Sequence, residues 1–171
     1  MREILFRAKE IEKGKWVYGA YFAHQKVNLC IITEQDVVKK NTQHLIVQDK
    51  IACDWNFENG IQVVDVNPET IGQYTGLEDK NGTKIFDGDI VKYTRTNMYA
   101  PTASFHNQDL ISLHRIYWND EKHCFYEEHY KLPDKECIGG GCLNFNDERA
   151  DENIIEVIGN IYDNPELLEG V

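Results

Sequence analysis

Serine is almost missing from this chain. Only Ser104 and Ser112 occur in 171 residues, and neither sits in a Gly-x-Ser-x-Gly context. That sets aside the nucleophile elbow of serine hydrolases. A phosphate-binding loop is missing too, since Gly139-Gly140-Gly141 has no strand before it and no Lys-Ser/Thr after it. No apolar run approaches the ~20 residues of a membrane-spanning helix. The first residues, Met1 to Ala8, lack the apolar stretch and small-residue cleavage site of a secretory leader. The expected location is therefore the cytoplasm. Five cysteines (Cys30, Cys53, Cys124, Cys137 and Cys142) are an odd number, which argues against a disulfide framework. There is no internal repeat, heptad or low-complexity tract.

Positive charge is also scarce. Eighteen Lys/Arg face 29 Asp/Glu, for a net charge of −11. Residues 1–40 carry eight basic against five acidic residues, whereas 134–171 carry two against ten. The acidic end reads first as a solvated surface, and second as a docking face. A nucleic-acid binder would have to use the N-terminal third, where the basic patch is modest.

What remains is a succession of short strands and turns. Ile4–Ala8 and Trp16–Phe22 form a candidate hairpin around the polar turn Lys9–Gly14. Leu29–Thr33, Leu45–Val47 and Ile61–Val66 read as further strands. Glu34–Asn41 suits one or two helical turns capped by Thr33. Asp79-Lys80-Asn81-Gly82 reads as a tight reversal, and Asp87-Gly88-Asp89 launches the strand Ile90–Tyr93. Thr94–Asn107 is a polar loop. Leu110–Trp118 and His123–Tyr130 form a strand pair, and 133–152 a mobile excursion. Ile154–Tyr162 is a last strand, followed by a helical turn at Asn164–Leu168 with Asn as cap and Pro at the first helical position. The expected class is mainly β, with several short antiparallel strands in a small barrel or sandwich, an SH3-like barrel preferred. A chain of this length buries roughly 70% of its unfolded surface, enough for one globular unit. Within it, 1–66 forms an N-terminal β lobe and 70–168 a second small-barrel lobe.

Three blocks carry a family resemblance. The first is Arg2–Phe22, where Arg7-Ala8 precedes Gly14-Lys15-Trp16-Val17-Tyr18-Gly19. The second is Thr70–Tyr93, and the third Val157–Leu168. In this order they resemble the YopX family of phage and prophage proteins. The resemblance implies a mainly β fold and a phage or prophage origin. It implies no catalytic residues and no cofactor, since none are established for the family.

Candidate chemistry is thin. His123, Cys124, His129, Cys137 and Cys142 are all potential zinc ligands, with His129, Cys137 and Cys142 the most compatible set. His123 and Cys124, adjacent on a predicted strand, would point to opposite faces. Ordinary thiols and surface histidines are the simpler account. Asp87 and Asp89 could act as a carboxylate pair, but turn hydrogen bonding is the simpler account of them. Arg7, Lys13, Lys15 and Trp16 form the candidate nucleic-acid patch, set against core or subunit contacts for the aromatics. Trp118, Phe125 and Tyr126 are expected in the core. The sequence therefore favours a non-catalytic protein acting through contacts with a host or phage protein, or through homo-oligomerisation. Nucleic-acid binding is the alternative and a metal-dependent enzyme the second; no membrane association is expected.

Overall fold

A computed structural model describes residues 3–25, 42–50, 60–95, 110–130, 141–142 and 155–169. The chain divides into two compact units, Met1–Tyr74 and Thr75–Val171.

The first unit is built from β1 (Phe6–Lys9), β2 (Trp16–Gln25), β3 (Thr42–Lys50) and β4 (Gly60–Asp65), with the start of β5 (Gly72–Glu78). Their hydrogen-bonded order is β4-β3-β2-β1-β5, antiparallel throughout. Side chains alternate along each strand, so register decides what shares a face. Ala8 opposes Val17, while Ile46 opposes both Tyr21 and Val64. These residues meet on the inner side, where Ala8, Val17, Ile46, Val64 and Val66 form the core and Phe6, Tyr21 and Ile71 pack against it. The Tyr21 hydroxyl lies 2.7 Å from His44 Nδ1, and burial raises its pKa above the usual phenol value. An isolated bridge between Glu10 and Val66, with Asn67 N–H donating to the Lys9 carbonyl at 2.9 Å, curls the end of β4 back toward β1. Asn67 then caps a 3-10 turn, Pro68–Thr70, by accepting the Glu69 N–H.

In the second unit β5 continues into β6 (Lys84–Phe86), with which it pairs. A separate sheet follows: β7 (Asp89–Arg95), β8 (Leu110–Asn119), β9 (Cys124–Tyr130), β10 (Gly141–Cys142) and β11 (Ile155–Asn160), in the order β10-β9-β8-β7-β11. A short helix, α1 (Glu166–Glu169), comes last. Ile85, Val91, Ile116 and Ile155 form this unit's core. The reversal between β5 and β6 has the chemistry its sequence foretells. Gly82 takes φ +78°, and Gly82 N–H donates to the Asp79 carbonyl. The Asp79 carboxylate accepts the N–H groups of Asn81 and Thr83 on one oxygen, at 2.8 and 2.9 Å. Its other oxygen accepts Val157 N–H of β11 at 3.0 Å, so one side chain ties the turn to the sheet. Asp89, 1% exposed, accepts the Phe86 N–H at 2.7 Å and fixes the next turn.

The mainly antiparallel β class is the one expected, and neither sheet closes into a barrel among the described residues. Three local expectations differ. His123 lies in the β8–β9 turn with φ 52° rather than in a strand, because the reversal extends one residue further than its polar sequence. Trp118, expected in the core, is 40% exposed, and its indole N–H donates to Asp120 at the strand end. Gly141 and Cys142, read as part of an excursion, pair with β9 as a two-residue strand. The predicted strand at 29–33, the helical turns at 34–41 and most of the segments 94–107 and 133–152 lie outside the described residues.

Candidate interaction face

Along β2, Val17 and Tyr21 turn toward the core, which leaves Tyr18, Ala20 and Phe22 on the solvent side. Register carries this outer row across the sheet. Ala20 opposes Val47, Val47 opposes Val63, and Phe22 opposes Leu45. Ile61, two residues before Val63, shares the side. Exposure is 46% for Tyr18, 55% for Phe22, 73% for Ile61 and 55% for Val63. These are four of the eight large apolar side chains exposed among the described residues. Scattered surface apolar residues need no explanation, but a concentration on β2 and β4, either side of β3, marks a contact surface.

The backbone at the rim of this face has a matching property. Among the described residues, β4 ends the hydrogen-bonded order. Val66 N–H donates to the His44 carbonyl at 2.9 Å. Antiparallel pairs alternate between bonded and non-bonded, so Val64 and Gln62 also bond toward β3. Ile61 and Val63 then direct their N–H and C=O groups away from it. Asp65 obeys the same alternation, its carbonyl accepting Ile11 N–H at 3.1 Å. Natural edges are usually blunted by lysine, proline or a bulge. Gly60-Ile61-Gln62-Val63-Val64 has neither charge nor proline.

Charge is low here as well. Residues 1–74 carry nine Lys/Arg and ten Asp/Glu, so all but one unit of the chain's −11 lies in the other unit. Of the basic candidates, Arg7 is only 6% exposed and its guanidinium lies 4.8 Å over the Trp16 ring; the Lys9 ammonium is 5.5 Å from the same ring. Lys13 pairs with Glu10 at 3.2 Å, and Lys15 is exposed in the turn. Arg7 and Trp16 are thus brought together, while Lys13 and Lys15 stand apart on the turn.

The model of the family described as YopX protein matches residues 5–169. This chain belongs to the YopX family. Among solved structures, the crystal structure of protein EF1440 from Enterococcus faecalis matches it with a TM-score of 0.50 at 25% identity, covering 99% of this chain and 100% of that one. No protein with a curated description matches.

In this YopX chain two of the three candidate metal ligands lie on described strands. His129 lies in β9 opposite His114, and Cys142 in β10 opposite Tyr126, three positions and about 10 Å further along β9. Cys137 lies outside the described residues. Among those described, no group of three or more His, Cys, Asp or Glu is placed to hold a metal ion. Asp87 lies in the turn before β7, and burial of Asp89 on the Phe86 N–H is a folding role. No helix among the described residues is long and apolar enough to cross a membrane. A polar cluster on the inner side of the second sheet, Ser112, His114 and Glu127, escaped the sequence reading. Its only sequence signal is Ser-x-His, which places both side chains on one side of a strand.

Proposed function

We propose that this YopX-family protein works through protein contacts, and that the contact is self-association across the β4 edge and its apolar outer face. The observation that carries this reading is the unblunted edge Gly60–Val64 with Ile61 and Val63 exposed beside it. Its pattern is self-complementary. A two-fold axis at Gln62 sets Ile61 of each copy opposite Val63 of the other, extending the sheet and joining the two apolar faces. The near neutrality of residues 1–74 lets two copies approach without strong repulsion. A host or phage protein offering an extended strand would dock by the same addition. The nucleic-acid alternative gains less support, because Arg7 is buried against Trp16 and Lys13 is ion-paired.

Light scattering coupled to size-exclusion, over a concentration series, tests this. The wild type is expected at twice the chain mass. Val63→Lys, an edge charge at an exposed position, is expected at single mass with stability changed by no more than about 0.5 kcal/mol. A wild type that stays at single mass throughout would sink the reading.

A further inference from the structure

The second unit holds a buried polar relay that the contact reading does not use. Ser112 and His114 lie two apart on β8 and share its inner side with Ile116, a core residue. Ser112 Oγ is 2.8 Å from His114 Nε2. On the other side of the imidazole, His114 Nδ1 is 3.3 Å from Glu127 Oε2, contributed by β9. Tyr93, opposite Ser112 in the ladder, sets its ring 4.3 Å from the imidazole and walls one face of it. The His114 side chain is 4% exposed, that of Glu127 20%, and Ser112 retains partial exposure. Exposure therefore increases along β8 from Ile116 through His114 to Ser112.

This order is chemically directional. A carboxylate facing Nδ1 favours the tautomer with its proton there, which leaves the Nε2 lone pair facing the serine hydroxyl. Burial of the ring removes water that would otherwise compete for both nitrogens. The Nδ1–Oε2 separation is an ion-pair distance and not a completed hydrogen bond, and a buried histidine packed beside a carboxylate is the structural alternative. It does not require the hydroxyl to sit at the solvent end of the relay. With only two serines in the chain, the placement of one against a buried histidine gives it a nucleophile's geometry.

We propose that Ser112 is a nucleophile for acyl transfer from small carboxylic esters, with His114 as its general base and Glu127 as a positioning residue. Ser112 Oγ attacks the ester carbonyl carbon and its proton passes to His114 Nε2. The bond to the alcohol oxygen breaks and the alcohol leaves with that proton. Water then attacks the acyl-serine, its proton passing to Nε2 and on to Ser112 Oγ as the carboxylic acid departs. The net change is ester plus water to acid plus alcohol.

The test uses the full chain and an alkyl fluorophosphonate, with intact-mass and peptide mapping. One adduct is expected, on Ser112 and not on Ser104, its rate followed over a pH series. Ser112→Ala is expected to show none, and His114→Gln to react about a hundredfold more slowly. Glu127→Gln, which disfavours the productive tautomer, is expected to react more slowly and to lose the wild-type pH profile, a change that loss of packing alone would not cause. Melting curves on each variant separate unfolding from lost reactivity, and the wild-type result decides even if His114→Gln does not fold. An unlabelled wild type, an adduct elsewhere, or a folded His114→Gln that reacts at the wild-type rate would each overturn the proposal.

Discussion

Asp79→Ala is expected to destabilise the second unit by about 3 kcal/mol, lowering the midpoint of its thermal transition by roughly 10–20 °C. Three backbone N–H groups, those of Asn81, Thr83 and Val157, lose a charged acceptor in one substitution. The first two lie in the turn and can recover water. Val157 N–H sits in the sheet at the bulge between Val157 and Gly159 and is only partly reached by solvent. The side chain itself is 6% exposed. Burial pushes its carboxyl pKa up, but the hydrogen bonds from Val157, Thr83 and Asn81 outweigh burial and hold it below the usual carboxylate value. A folded pKa below the unfolded one means that the contribution is complete above the unfolded value of 3.8 and is lost as pH falls through the folded one. The gap between wild type and Asp79→Ala is thus largest near neutrality and narrows in acid below that value. Denaturant titrations at neutral and acidic pH measure both. A gap that did not change with pH would mean that the carboxylate charge is not what holds the turn. Glu156, whose pKa is lowered by its hydrogen bonds to Lys80 and then Lys92, is a useful contrast. Its bridges are on the surface, so replacing it with glutamine is expected to matter far less.

The Asp79 turn was also the most legible part of the sequence, and for the same physical reason. Asn81-Gly82, Asp87 and Asp89 act within a few residues of themselves, so local chemistry determines them. The same holds for the hairpin of β1 and β2 and for the Asn164-Pro165 start of α1. What depended on register was not legible. The run Trp16–Phe22 alternates, but alternation does not say which side meets the core. Ala8 and Ile46, on other strands, decide that Tyr21 packs inside while Tyr18 and Phe22 face out. Trp118 reads as core by composition and lies at a strand end. The Ser112–His114–Glu127 relay is the clearest case. Two of its members are two residues apart, yet the third arrives only because β9 pairs with β8 in the register that sets Glu127 across from Ile116. A search for sequence motifs of known hydrolases cannot find a relay assembled across a ladder.

Gly19→Ala is expected to cost the first unit about 3 kcal/mol, and here space rather than backbone freedom is the cause. Gly19 lies within β2, opposite Phe6, with no positive φ to relieve. A methyl group at this position would overlap the carbonyl oxygen of Val47, lie 2.8 Å from its carbonyl carbon and press on Ile46 Cγ2 at 3.1 Å. Two of those atoms are backbone, so no side-chain rotation makes room. β2 must move off β3, which strains the Ala20–Val47 pairing and loosens Ala8, Val17, Ile46 and Val64 together. Gly14→Ala supplies the control. Gly14 takes φ +65° in the turn between β1 and β2, with nothing within 4 Å of an added Cβ. That substitution carries only the left-handed backbone penalty, about 1–2 kcal/mol. Denaturant unfolding of both variants is expected to rank Gly19→Ala well below Gly14→Ala, and equal losses would mean that β2 and β3 approach less closely than the Val47 contact requires. The same displacement moves Ala20 and Phe22 on the outer face. Gly19→Ala should therefore weaken self-association at temperatures where the unit is still folded, whereas Gly14→Ala should leave it intact.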